Sequence, residues 1–354
     1  MIGRLRNPPS QKALPLSHWP KADREGWTGA QQTAGVLDDG GVASHLSAQT
    51  REDLTRRYSY FLSFLLNQEK LDPRGPAAGS VTPQNIIGYV EFLKPRVSSV
   101  TLAQSLYKIS RVAGCLEPGQ DWGWLRRLCK RLDLRAKPRD RRSDVVEIKE
   151  LYRLGLTLMH RADNADLATK FSRALLYRDG LIIALLSTDP IRSANITDLE
   201  LGRTLIKDGM TWSLSIPAEE TKNRRQHLAV LPDWSVDCID RYIDRYRPIF
   251  RNAETTNRLW LSRNGRPLDA SSLYHTTCKR TRKAFGKSIS PHLFRSCFAT
   301  STAVHHGANM GLAMTVLGHQ SSKVTTRHYN QAKMIDAVRA YQEVLLAEPE
   351  DQEQ

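Results

Sequence analysis

Apolar residues recur at helical spacing along most of this chain, and the period changes to two in one place only. Leu54, Tyr58, Phe61, Leu62 and Leu65 fall on one helical face, and Thr50 and Asp53 before them have capping-box-like spacing. Thr82 followed by Pro83 reads as a cap with proline at the first helical position, leading into the face Ile86, Tyr89, Val90 and Leu93. A third helix carries Leu102, Leu106, Ile109 and Val112, and a fourth carries Leu125, Leu128 and Leu132. Four short amphipathic helices predict a small helical domain over residues 46–136. Beyond residue 145 helical spacing returns with Leu151, Leu154 and Leu158, then a buried run from Leu175 to Leu186 that ends at Ser187-Thr188-Asp189-Pro190-Ile191-Arg192. The change of period comes next. Trp212, Leu214 and Ile216 alternate within Met210 to Ile216, and a second extended run returns at His227 to Leu231. This pattern predicts a β-hairpin with Lys222 near its tip. Helices resume over Val236 to Tyr246 and Asp269 to Phe285. The last apolar face is Met334, Val338, Tyr341, Val344 and Leu345. The expected fold class is therefore mainly α with a small antiparallel β-sheet. Residues 1–45 lack periodicity and read as a flexible arm, and the acidic tail 347–354 reads as disordered. No internal repeat is visible.

Charge narrows the partner. Lys and Arg number 52 against 37 Asp and Glu, a net charge of +15. Such an excess favours a polyanion. The excess concentrates in one stretch: Arg126, Arg127, Lys130, Arg131, Arg135, Lys137, Arg139, Arg141 and Arg142, opposed only by Asp133 and Asp140. A charge run is usually a solvated face. This one leaves a helix and enters the Pro-containing segment 137–144, which reads as an interdomain linker, so phosphate contact is expected of it. The five cysteines, Cys115, Cys129, Cys238, Cys278 and Cys297, form no C-x-x-C pair. They are neither a disulfide framework nor a zinc set, and a reducing cytoplasm fits them. No apolar run approaches the ~18 residues that span a membrane, and the first twenty residues lack the apolar core of a secretory signal.

The chemistry gathers late in the chain. His292 and Arg295 stand three residues apart, so on a helix they point the same way. His319 closes the run Leu317-Gly318-His319, and Tyr329 comes ten residues later. Arginine clamps phosphate oxygens, histidine moves a proton, and tyrosine can attack phosphorus. One such residue alone would be a solvated or half-buried side chain. Order and spacing together resemble the C-terminal signature of the tyrosine recombinases, the phage-integrase family: H-x-x-R, then L-G-H, then Tyr.

The resemblance covers roughly residues 46–345. It implies a helical core-binding domain over 46–136, a basic linker over 137–144 and a catalytic domain over 145–346. It also implies a first catalytic arginine after a buried helix and tight turn, usually T-G-x-R. That arginine is Arg192, in a segment where Pro190 replaces the glycine and where Asn195 stands at the place often held by Glu or Asp. The family's hairpin lysine falls on Lys222, with Arg224 and Arg225 as neighbours that could compete for the role. The activity implied by the resemblance is cleavage and rejoining of DNA through a 3′-phosphotyrosine on Tyr329. Arg192 and Arg295 would neutralise the transition state, Lys222 would protonate the 5′ leaving oxygen, His292 would assist proton transfer, and His319 would bond a non-bridging oxygen. No metal or other cofactor is called for. The implied partners are double-stranded DNA bearing a specific recombination site, further copies of the chain as a tetramer on two sites, and accessory DNA-bending proteins. The leading expectation is the integrase of a bacterial mobile element, acting in the cytoplasm at the nucleoid. Two alternatives stand beside it: DNA relaxation of the type IB topoisomerase kind, and a catalytically silent DNA-binding protein on the same fold.

Overall fold

Three of the five helices in the first part of the chain begin at hydroxyl caps. The structure, a computed structural model, describes residues 12–33, 35, 40–140, 142–164, 169–222 and 224–305. These fall into two units, Met1–Asp140 and Arg141–Gln354.

In the first unit, α1 spans Lys21–Ala30, α2 Ala48–Asn67, α3 Pro83–Leu93, α4 Ser99–Leu116 and α5 Gly123–Arg135. Ser47 Oγ accepts from the Thr50 N–H at 3.3 Å, so α2 is capped at Ser47, earlier than the Thr50–Asp53 spacing suggests. Thr82 caps α3 with Pro83 in its first turn, and Ser98 caps α4, each accepting the N–H three residues on. These caps satisfy N–H groups that have no partner inside the helix. The core is built from Tyr58, Phe61, Leu62, Leu65, Ile86, Leu106, Ile109 and Leu125, all fully buried or nearly so.

The expected flexible arm over 1–45 does not hold for its described middle. Residues 21–30 are helical, and Trp19 and Trp27 are buried in the same core. Trp27 Nε1 donates to Thr55 Oγ1 at 2.8 Å. The buried Asp23 carboxylate accepts from Tyr58 Oη at 2.8 Å and from the Ala78 N–H at 2.7 Å. Helical propensity here is diluted by Gly26 and Gly29, while Asp23, Trp27 and Ala30 still make one buried stripe. Packing of two indoles outweighs that local weakness.

In the second unit, α6 spans Ile148–Asn164 and α7 Lys170–Thr188. They cross at two glycines. A Cβ on Gly155 would lie 2.6 Å from the Ala184 nitrogen, and one on Gly180 would lie 2.7 Å from the Gly155 oxygen. That approach lets α7 run buried from Leu176 to Ser187. The short helix α8 (Ser193–Thr197) leads into strands β1 (Leu205–Asp208), β2 (Thr211–Ile216) and β3 (His227–Val230). They form one antiparallel sheet in the order β1-β2-β3, with Leu205 opposite Leu214 and Ile216 opposite His227. The hairpin appears where alternation predicts it. Strand β1 has no such signal, because four residues with two apolar ones are too short to show a period. Helix α9 (Trp234–Arg241) loosens into a π turn over Tyr242–Tyr246, where the spacing predicts one continuous helix. Helices α10 (Ala270–Phe285) and α11 (Pro291–His305) complete the described elements. A buried ionic set fixes α10 to α7. Asp179 accepts from Arg178 at 2.6 Å and from Arg280 at 2.7 Å, and Arg178 also donates to the Leu261 carbonyl at 2.6 Å. Among the described residues no helix is long and apolar enough to cross a membrane. The fold class is mainly helical with one small antiparallel sheet.

Candidate active site

The end of α7 is the first anchor. Asp189 caps its C-terminus with extended backbone, and Arg192 is the N-cap of α8. Four residues thus turn the chain, and proline at 190 suits the stop because it cannot extend a helix. The second anchor is α11. Ser290 O accepts the Leu293 N–H at 2.7 Å at its start, and Leu293, Phe294 and Cys297 are buried. Their burial fixes the rotation of the helix. His292 is exposed in the first turn and Arg295 lies one turn on.

The two anchors meet through Arg295. Its Nη1 donates to the Pro190 carbonyl at 2.6 Å, across 105 residues of sequence. The guanidinium is nearly buried, at 9 % exposure. Burial and the neighbouring Arg192 push it down to about 10, and the Asp189 carboxylate opposes that fall. It therefore remains cationic at neutral pH. Arg192 and Arg295 are brought to the same turn, and the turn holds one carboxylate as well.

Lys222 lies in the connection between β2 and β3, exposed, after a short 3-10 turn over Ala218–Glu220. The connection is longer than a tight hairpin and has its own closure. Buried Thr221 Oγ1 accepts from the Arg225 N–H at 3.0 Å and lies 2.7 Å from the Arg225 carbonyl. Arg224 takes a left-handed φ of 52°. Two contacts then tie this connection to the Arg192 turn. Asn195 Nδ2 donates to the Glu220 carbonyl at 3.2 Å, and His227 Nε2 lies 2.6 Å from Asp189 Oδ2. Asn195 thus bonds the lysine-bearing loop; its substitution for an acid leaves that position without charge. Asp189 and His227 escape sequence reasoning. They are 38 residues apart, and no local spacing links them.

His319 and Tyr329, like Arg141, lie outside the described residues. On α5 the structure exposes Arg126, Arg127, Lys130, Arg131 and Arg135, and Lys137 and Arg139 are exposed after it. Arg142 begins a short 3-10 turn. Arg126 and Lys130 also border an open groove of about 670 Å³ between α4 and α5, whose other wall carries Gln104, Tyr107 and Arg111. No sequence motif marks these three residues. Tyr107 is half exposed although aromatic, and it sits off the apolar face of its helix, which is the one signal the sequence offers. Among the described residues no cluster of three or more His, Cys, Asp or Glu could hold a metal ion. The arrangement offers fixed cations for a tetrahedral or pentavalent phosphorus and an exposed lysine on the loop tied to them.

The phage integrase family model matches residues 157–335, half of the chain, a span that takes in Arg192, Lys222, His292, Arg295, His319 and Tyr329. Tyrosine recombinase XerD of Staphylococcus saprophyticus is 26 % identical over 201 residues, which is 56 % of this chain and 62 % of that protein. Tyrosine recombinase XerD of Staphylococcus haemolyticus is 25 % identical over 158 residues, 44 % of this chain and 51 % of that protein. The chain thus spans between half and two thirds of the length of these relatives. Among solved structures, XerH site-specific recombinase bound to palindromic difH substrate, a post-cleavage complex, is similar at 12 % identity and a TM-score of 0.49, covering 96 % of this chain and 99 % of that one. A lambda integrase (75–356) dimer bound to a COC′ core site is similar at 13 % identity and a TM-score of 0.49, covering 81 % and 90 %.

Proposed function

The chain belongs to the phage integrase family, and on that premise we propose that it is a site-specific tyrosine recombinase that integrates or excises a mobile element. The observation that carries the reading is the meeting of Arg192 and Arg295 at one turn, through the Arg295 bond to the Pro190 carbonyl at 2.6 Å. Two preorganised guanidiniums suit the non-bridging oxygens of a scissile phosphate, where charge grows in the transition state.

Tyr329 Oη attacks the phosphorus. The bond from phosphorus to the 5′ oxygen breaks as the phosphotyrosine bond forms, leaving the 3′ phosphate on the protein and a free 5′ hydroxyl. Lys222 gives a proton to that leaving oxygen. His292 helps to take the proton from Tyr329, whose ordinary pKa near ~10 makes the neutral phenol a poor nucleophile. His319 bonds a non-bridging oxygen. Rejoining is the reverse step with the 5′ hydroxyl of another strand as nucleophile. The phosphodiester energy is conserved in the covalent bond, so no external energy source is used. The side chains supply the cations, and no cofactor has a part in this scheme. The DNA partner is a duplex with a specific recombination site. Four copies of the chain act on two such sites, and accessory proteins bend the DNA. The setting is the cytoplasm at the nucleoid.

The test is covalent trapping. The full chain is incubated with nicked duplexes that tile the DNA flanking its own gene, then denatured in detergent. The expected result is a detergent-stable protein–DNA adduct on one defined sequence. Tyr329→Phe removes only the hydroxyl, so it should lose the adduct while binding that duplex within about twofold of the parent. An adduct that persists in Tyr329→Phe overturns the choice of nucleophile, and absence of any adduct from the parent overturns the reading.

A further inference from the structure

Asp189 occupies an unusual place for an acid. It ends α7, begins the turn that carries Arg192, and lies next to Pro190, whose carbonyl receives Arg295 at 2.6 Å. Its side chain is only 12 % exposed. One oxygen, Oδ2, is 2.6 Å from His227 Nε2, and the other, Oδ1, is buried and meets no hydrogen-bond donor among the described residues. A carboxylate so placed in a site for phosphate carries two costs. It is partly desolvated, and it repels the anion that the arginines are there to bind.

We infer that Asp189, held by His227, is a positioning residue for the arginine pair and for the loop that bears Lys222; the inference rests on the recombinase reading above. Two guanidiniums at one turn repel each other whenever no phosphate lies between them. One negative charge beside them offsets that repulsion and holds the site, before DNA binds, in the shape it has when loaded. The direction agrees with Arg295 itself, which burial and Arg192 push down and Asp189 holds up. Restraint of the carboxylate matters equally. A free carboxylate could swing onto either guanidinium and compete with the substrate. His227 takes Oδ2 and fixes the orientation.

His227 is also the first residue of β3, opposite Ile216 of β2. The contact that restrains Asp189 therefore sets the base of the connection in which Lys222 sits. The other tie, Asn195 to the Glu220 carbonyl, is neutral, and the Glu220 carboxylate is engaged by Arg203 at 2.6 Å. Within this set, Asp189 is the acid that faces the arginines, with Arg192, Arg295 and His227 as the charged or titratable groups around it.

The experiment measures single-turnover cleavage and affinity separately. The probe is the nicked duplex on which the full parent chain forms its adduct. Asp189→Asn keeps shape and removes charge. It should cleave at least about tenfold more slowly while binding the duplex within about twofold of the parent, because the defect lies in preorganisation and not in docking. His227→Gln keeps an N–H donor for Oδ2 and should stay within about threefold of the parent rate, whereas His227→Leu should fall with Asp189→Asn. A merely structural contact would move affinity and thermal midpoint together with rate. Parental cleavage by Asp189→Asn or by His227→Leu overturns the inference and leaves the recombinase reading intact. Should Asp189→Asn fail to fold, the contrast between His227→Gln and His227→Leu decides alone. No adduct from the parent chain overturns both.

Discussion

Asp23 shows how one buried acid can hold a local structure together at an electrostatic cost. It is 1 % exposed, and its oxygens accept from Tyr58 and from the Ala78 N–H. Burial raises its carboxyl above the ordinary value of 3.8, against the lowering effect of the two hydrogen bonds. An acid whose folded value is raised binds more protons folded than unfolded in that window. Stability therefore falls as pH rises from near 3.8 through the raised value, and the loss persists above it. Asp23→Asn should flatten this dependence. Its oxygen can still accept from Ala78 and its amide can donate to the Tyr58 oxygen, so stability at neutral pH should change by less than about 1 kcal/mol. Asp23→Ala leaves both donors buried without a partner and should cost about 2–4 kcal/mol in urea titrations. A steeper pH dependence in Asp23→Asn would contradict the account. The site residues differ in how readable they are. His292 and Arg295 sit on one helix, so spacing alone pairs them. Arg192 is found only through the family resemblance, which places an arginine after a buried helix and a tight turn. Asp189 and His227 are invisible in the sequence, since their pairing depends on how β3 returns to the end of α7, which no local pattern encodes.

Elements are legible where caps and period agree. Thr82-Pro83 opens α3 as its residues predict, and Asp269, which caps α10, accepts the Ser272 N–H at 2.7 Å. Legibility fails where tertiary packing overrides weak local signals, as in α1, whose Trp27 is fully buried despite two helical glycines. It fails again at α9, where the π turn over Tyr242–Tyr246 changes the helical period in mid-run. Helix α5 carries the element-scale prediction. Its buried residues are Leu125 and Cys129, so Arg127, Lys130 and Arg131 are turned outward. If they lie along a DNA backbone, replacing all three with Ala should weaken binding to any duplex. The slope of log K against log salt should also fall, by about one unit for each phosphate the variant no longer neutralises. Tyr107→Ala on the facing wall of the groove should weaken binding without changing that slope, because it removes no charge. An unchanged slope in the triple variant would make α5 a solvated face.

At the scale of the whole molecule the reaction proposed here needs more than one copy. Under that proposal two duplexes exchange four strands and each chain would bring a single nucleophile, Tyr329, so four copies would be required for four cuts. Some segment must couple them. After Tyr329 the residues Met334, Val338, Tyr341 and Leu345 fall at helical spacing in the sequence, from which an apolar face is expected, and the sequence beyond them is charged. An apolar face of this kind must be covered, either by its own copy or by a neighbour. The two cases separate on truncation. Removing residues 333–354 spares every proposed site residue and both described cores. If the segment docks on a neighbouring copy, the truncated chain should bind a half-site with near-parental affinity yet lose cooperative filling of the full site. A cooperativity of tenfold corresponds to about 1.4 kcal/mol, well within what a docked apolar helix can supply. Cleavage should fall as well, because the segment adjoins Tyr329 in sequence. Gel-shift titrations on half and full sites measure both affinities, and covalent trapping measures cleavage. Undiminished cooperativity in the truncated chain would place the apolar face against its own copy, and coupling between copies would then have to come from elsewhere in the chain.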